Sequence, residues 1–102
     1  MATAKDKAFL KHGAAQAAAM LRSVGNESRL LLLCQLIECG ELSVGQLQEG
    51  LDLSQSALSQ HLARMRGEGL VAFRREGQTL YYRIADPNAK KLIAALKKIY
   101  CP

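Results

Sequence analysis

The chain has 102 residues, with 14 Lys and Arg against 9 Asp and Glu for a formal charge of +5 at pH 7. At 49% hydrophobic and 23% charged residues it falls outside the disordered class, and it has no apolar run approaching the ~18 residues of a membrane helix. It allows one small domain, and a chain of this size buries only about 60–65% of its unfolded surface, so a second copy is expected to complete the core.

The N-terminal segment Met1–Lys7 lacks the charged-then-apolar order of a secretory signal, and three cysteines are an odd count for a disulfide framework. A cytoplasmic chain is the expectation. Charge is unevenly placed. Residues 23–53 carry Arg29 against Glu27, Glu38, Glu41, Glu49 and Asp52, whereas residues 54–84 carry Arg64, Arg66, Arg74, Arg75 and Arg83 against Glu68 and Glu76. A basic block after an acidic one points to a polyanion, with nucleic acid the commonest such partner.

Lys5 to Ser23, rich in Ala, Leu, Met and Gln, predicts a first helix over about 5–23, with Gly13 weakening its early turns. Gly25 breaks it, and Asn26 suits the N-cap of a second helix running to about Cys39, where Gly40 ends it. Leu30, Leu31, Cys34 and Ile37, with Leu33 and Leu36, are too many for one stripe, so this helix is expected at the centre.

Two short helices follow over about 43–67. Ser43 and Gln46 form a capping box, with Leu42 placed to staple onto Leu47. After the turn at Gly50-Leu51-Asp52, Ser54 caps the next helix, with Leu53 and Leu58 as its staple. Helix, turn, helix at this spacing predicts a helix-turn-helix. In its second helix Leu58, Leu62 and Met65 face inward at i, i+4 and i+7. Ser56, Ser59, Gln60, Ala63 and Gly67 then lie on the far side, with Gln55 at the start and Arg64 beside them. Short polar groups allow close approach to a major groove, and Gln pairs bidentately with adenine.

Val71–Arg75 and Thr79–Ile84 read as strands of a hairpin around Glu76-Gly77-Gln78, a wing over about 71–84. Val71 and Phe73 share a face with Tyr82 and Ile84, leaving Arg74, Arg75 and Gln78 near the tip, where phosphates or the minor groove are within reach. Asp86-Pro87 starts a last helix over about 87–100, in which Leu92, Ile93, Leu96, Ile99 and Tyr100 alternate with lysines. The apolar faces of the first and last helices exceed what so small a core uses. They are expected to build a twofold dimer, with two recognition helices about 34–36 Å apart, one turn of DNA. The fold class expected is mainly α with a small β-hairpin: a homodimeric winged helix-turn-helix of order ααααββα.

That order resembles the ArsR/SmtB family of bacterial repressors, through Asn26–Leu30, Glu41–Leu47, Leu53–Leu62, Gly69-Leu70-Val71 and Tyr81-Tyr82-Arg83. The resemblance implies a DNA-binding repressor of double-stranded operators and no enzyme activity. Metal-sensing members carry two thiolates one residue apart where this chain has Ser43 and Gly45, and Asp and His ligands along the last helix, where Asp86 stands alone. No metal and no cofactor is therefore expected. Cys34 and Cys101 match the paired cysteines of the BigR/HlyU/YgaV-like branch of the family. This resemblance implies that reactive sulfur species or oxidants link the two within one subunit and weaken DNA binding.

The settings of the two thiols also differ. Cys34 lies among leucines, where burial makes a thiol inert in isolation, and Cys101 lies near lysines at a terminus, so Cys101 is expected to attack first. Cys39 lies about 140° around the helix from Cys34 and reads as a bystander. The alternatives are the same fold sensing haem or another ligand, and a ligand-independent DNA-binding regulator.

Overall fold

The computed structural model describes residues 3–101; Met1 and Ala2 of the N-terminal segment and Pro102 of the terminal Tyr100-Cys101-Pro102 run lie outside them. The helical run expected over 5–23 is three pieces without a break in the chain's course: α1 (Ala4–Ala8), a π-helical turn (Phe9–Gly13) and α2 (Ala14–Val24). Gly13 does not end the helix. It leaves room for the Phe9 ring, which approaches to 2.9 Å of where a Cβ would stand.

α3 (Glu27–Cys39) starts at Asn26, whose side chain accepts from the Arg29 N–H, and ends at Gly40 with φ 80°. Next come β1 (Leu42–Ser43), α4 (Val44–Gly50) and α5 (Gln55–Gly67). The Ser43–Gln46 capping box is complete on α4, and the Ser54 hydroxyl accepts from the Ala57 N–H on α5. The turn between them is tied by side-chain amides. Gln48 donates to the Leu53 carbonyl, and Gln35 of α3 donates to the Gly50 carbonyl at 2.9 Å.

α5 ends in a Schellman turn. Gly69, at φ 78°, donates to the Arg66 carbonyl and Leu70 donates to the Met65 carbonyl, at 3.0 and 2.9 Å. The chain then enters β2 (Val71–Glu76) and β3 (Thr79–Ile84), joined by Gly77-Gln78, and closes with α6 (Pro87–Tyr100) capped by Asp86. Gly77 at φ 62° supplies the positive φ that this two-residue turn requires at its first position.

The sheet has three strands in the order β1-β3-β2, all antiparallel, so the expected hairpin gains a third strand. The register pairs Val71 with Ile84 and Phe73 with Tyr82, and the last two rings lie 5.5 Å apart. Leu32, Leu33, Leu36, Leu47, Leu58, Met65 and Ile93 are all at 0% exposure and form the centre of the core.

α3 is central as expected, packing against both α6 and β3. Its most buried face, however, is Leu32, Leu33 and Leu36. Leu31 is 51% exposed, and Leu30, Cys34 and Ile37 are half-buried. The all-round apolar pattern carries no phase of its own; the neighbours α6 and β3 choose the face. On α5, the inward residues Leu58, Leu62 and Met65 are buried as the spacing predicts. No helix among the described residues is long and apolar enough to cross a membrane.

Candidate nucleic-acid interface and thiol pair

α5 buries Leu58, Leu62 and Met65 in the core and turns Gln55, Ser56, Ser59, Gln60, Ala63 and Arg64 to solvent. This exposed face has hydroxyls and amides near its start and a cation in its last turn, with no acid between Gln55 and Gly67. α5 packs against β2, so the wing is set directly beside it. The guanidinium of Arg66 lies over the Phe73 ring at 5.1 Å, tying the end of α5 to the sheet.

The wing cations are not equivalent. Arg74 is exposed but already engaged by partners of its own chain. Its Nε and Nη2 donate to the Glu41 carboxylate at 2.8–3.0 Å, its Nη1 donates to Glu76 at 2.7 Å, and it lies over the Tyr81 ring at 4.5 Å. The Arg74 bonds hold the Glu41 carboxyl below its usual range. Arg75 and Gln78 are exposed at the tip, without an intramolecular ion pair or side-chain hydrogen bond among the described residues. Of the sequence-derived candidates, Arg74 is thus already committed to positioning the wing, while Arg75 and Gln78 are free to meet a ligand.

Cys34 and Cys101 are both free thiols, the first half-buried on α3 and the second exposed just beyond α6. Glu38 lies one turn after Cys34, and Lys97 one turn before Cys101, whose N–H donates to the Lys97 carbonyl at 2.8 Å. An ion pair between Lys97 and Glu38 joins the two helices here. Cys34 and Cys101 thus each lie one turn along their own chain segment from a member of this pair. Burial pushes the Cys34 thiol up from its ordinary value. The Lys97 charge opposes this, while Cys101 and Glu38 reinforce it. Cys39 is exposed at the C-terminal end of α3. Among the described residues no three His, Cys, Asp or Glu side chains converge as a metal site.

Sequence reasoning passed over the contacts of Glu41 with Arg74, Glu38 with Lys97, Arg66 over Phe73, and Arg29 with His61. Arg29 had a visible signal, as the one basic residue in the acidic stretch 23–53 and in a helix otherwise rich in leucine.

Residues 26–72 match the model of the family described as "Bacterial regulatory protein, arsR family". The transcriptional activator HlyU of Vibrio cholerae is 46% identical over 92 residues, spanning 90% of this chain and 84% of HlyU. The HTH-type transcriptional regulator YgaV of Escherichia coli is 45% identical over 95 residues, 93% of this chain and 96% of YgaV. Among solved structures, the transcriptional repressor BigR from Xylella fastidiosa superposes with a TM-score of 0.85 at 34% identity, covering 94% of this chain and 97% of that one. With relatives that activate and relatives that repress, what they share is regulation of transcription rather than catalysis. On its sequence, its winged-helix fold and these relatives, the chain belongs to the arsR family of bacterial DNA-binding transcriptional regulators.

Proposed function

We propose that this chain is a homodimeric repressor whose affinity for operator DNA is switched by Cys34 and Cys101 in response to reactive sulfur species or oxidants. The observation that carries it is the Glu38–Lys97 ion pair, which joins the two helices next to the free thiols Cys34 and Cys101, one turn from each. α6 also presents Ile99 and Tyr100 to solvent at its C-terminal end, at 69% and 77% exposure, and its N-terminal half borders an open groove of about 900 Å³ lined by Met20, Leu21 and Leu92. A second copy packed on these faces would set two α5 helices against successive major grooves, with Ser59 and Gln60 reading bases and Arg75 and Gln78 at the flanking backbone.

The chemistry starts at Cys101. With its neighbour's thiol pushed up by burial, the exposed Cys101 is the group that meets the donor. Its thiolate takes the sulfane sulfur of a persulfide R–S–SH, releasing R–SH and leaving Cys101–S–SH. Attack by Cys34 on the Cys101 sulfur expels hydrosulfide and forms the Cys34–Cys101 disulfide. Two electrons have then passed from the thiol pair to the persulfide, which leaves as R–SH and hydrogen sulfide. Where sulfur is retained, a second persulfide takes up the two electrons, and Cys34 closes a trisulfide with loss of R–SH and hydrogen sulfide. Either link fixes the end of α6 to α3 and changes the face that α6 offers a second copy.

The test is intact-mass measurement of the reduced chain after glutathione persulfide treatment, paired with a gel-shift assay on a DNA duplex selected by the reduced protein. A loss of two hydrogen atoms, or that loss with added sulfur atoms, should accompany weakened binding. A Cys34→Ser, Cys101→Ser double variant that still released DNA on treatment would overturn the reading. Equal affinity of treated and reduced wild type would leave a regulator that does not sense sulfur.

A further inference from the structure

Among the described residues Arg29 is the one charged side chain that is buried, at 8% exposure. A guanidinium keeps its proton, so its burial demands partners. Its Nη1 donates to the Ser23 carbonyl at 2.8 Å, and its Nε donates to Nδ1 of His61 at 3.3 Å. Ser23 belongs to the last turn of α2, Arg29 to the first turn of α3 and His61 to the middle of α5. One side chain thus ties the end of a terminal helix to the helix that carries Ser59 and Gln60. His61 directly follows those two residues on α5, so the contact holds the stretch of helix that carries them.

We propose that the Arg29–His61 hydrogen bond is the positioning contact that sets α5 for DNA, and that it holds only while His61 Nδ1 is unprotonated. The proposal rests on the reading of α5 as the helix that enters the groove. Because Nδ1 accepts from Arg29, the neutral ring carries its proton on Nε2. Protonation of Nδ1 removes the lone pair that Arg29 uses and turns the acceptor into a donor facing a donor. It also sets a third cation between Arg29 of α3 and Arg64 of α5, the charged groups that act on the ring. α2 faces this cluster with the neutral Ser23 carbonyl, and the adjoining open cleft carries Arg22 and Glu68.

Burial first, then Arg29 and Arg64, holds His61 below its ordinary value of 6.5. The neutral ring is the form that the fold favours. Positioning is therefore complete above pH 6.5 and is lost as pH falls through the lowered folded-state value. A histidine that merely borders DNA gives the opposite sign, because its protonation adds a cation near phosphate and strengthens binding.

The experiment measures affinity at fixed salt for a duplex recovered from a random pool by the wild-type chain, between about pH 7.5 and 5.5. His61→Asn places an oxygen where Nδ1 stands and does not titrate, whereas His61→Leu offers no acceptor. At the higher pH, His61→Leu should bind about tenfold more weakly than wild type and His61→Asn within about threefold of it. As pH falls, wild type should lose affinity relative to His61→Asn. In the free protein, ring nitrogen NMR signals should show Nδ1 as the bare acceptor and the proton on Nε2.

The opposite tautomer overturns the proposal, as does a wild-type affinity that rises with acid as steeply as that of His61→Asn. A folded His61→Leu that binds like wild type also overturns it. A Ser59→Ala, Gln60→Ala variant separates the two failures. If it binds as wild type does, the reading of α5 itself is wrong; if it binds weakly while His61→Leu does not, only the positioning contact is wrong.

Discussion

Arg74 and Arg75 are adjacent in sequence and alternate across one strand, yet their circumstances differ. Arg74 is engaged by two carboxylates and a tyrosine ring, whereas Arg75 faces solvent at the tip. A guanidinium already neutralised by Glu41 and Glu76 adds little net positive charge toward a phosphate. Arg75→Ala is therefore expected to reduce the slope of log affinity against log salt by about 1, the signature of one lost phosphate contact. Arg74→Ala should weaken binding through wing placement, with a clearly smaller change in that slope, and titrating the complex with salt separates the two. The same principle of partnership governs the cysteines. Burial, with the Glu38 charge adding to it, pushes the half-buried Cys34 thiol up, while Cys101 stands in solvent one turn from Lys97.

At the scale of elements, burial ranks the residues that the apolar pattern alone leaves equal. Leu36 of α3 is at 0% exposure and Leu31 of the same helix is at 51%. Leu36→Ala should cost about 2–5 kcal/mol in urea unfolding, and Leu31→Ala should stay within about 0.5 kcal/mol of wild type. α5 was legible from sequence because only one of its faces is apolar, so spacing alone sets its phase, and its Ser54 cap marks its start. α3 was legible as a helix but not in its phase, because leucines surround it and the choice of face belongs to α6 and β3.

β1 left no local trace: two residues, Leu42 and Ser43, become a strand only because β3 offers them Tyr82 and Tyr81 as partners. The site divides in the same way. The polar face of α5 and the cysteine spacing lie along the chain and could be read from it. The Glu41–Arg74, Glu38–Lys97 and Arg29–His61 contacts join residues 32 to 59 positions apart, and no local pattern announces them.

At the scale of the molecule, the chain is drawn out. Its principal extents are 54 × 31 × 21 Å and its radius of gyration is 15.3 Å, against the ~13 Å typical of a compact domain of this length. The excess fits the N-terminal arm, where Phe9, Leu10 and Leu21 are 54%, 72% and 56% exposed. Ile99 and Tyr100 are likewise exposed at the other terminus, so the large uncovered apolar side chains gather on the two terminal helical segments and Leu31. A second copy covering the two terminal segments would remove their apolar surface from water and link two weak DNA contacts into one bivalent contact. Leu21→Glu with Ile99→Glu leaves the core untouched, so circular dichroism should match wild type. Sedimentation should then report a particle near the 11.1 kDa of one chain, where wild type should sediment at twice that mass. Operator affinity should fall by at least about a hundredfold, because each half-site is then bound without the effective concentration that the first supplies to the second. Monomeric wild type, or a monomeric variant that binds as tightly as wild type, would remove the dimer from the account of how this chain grips DNA.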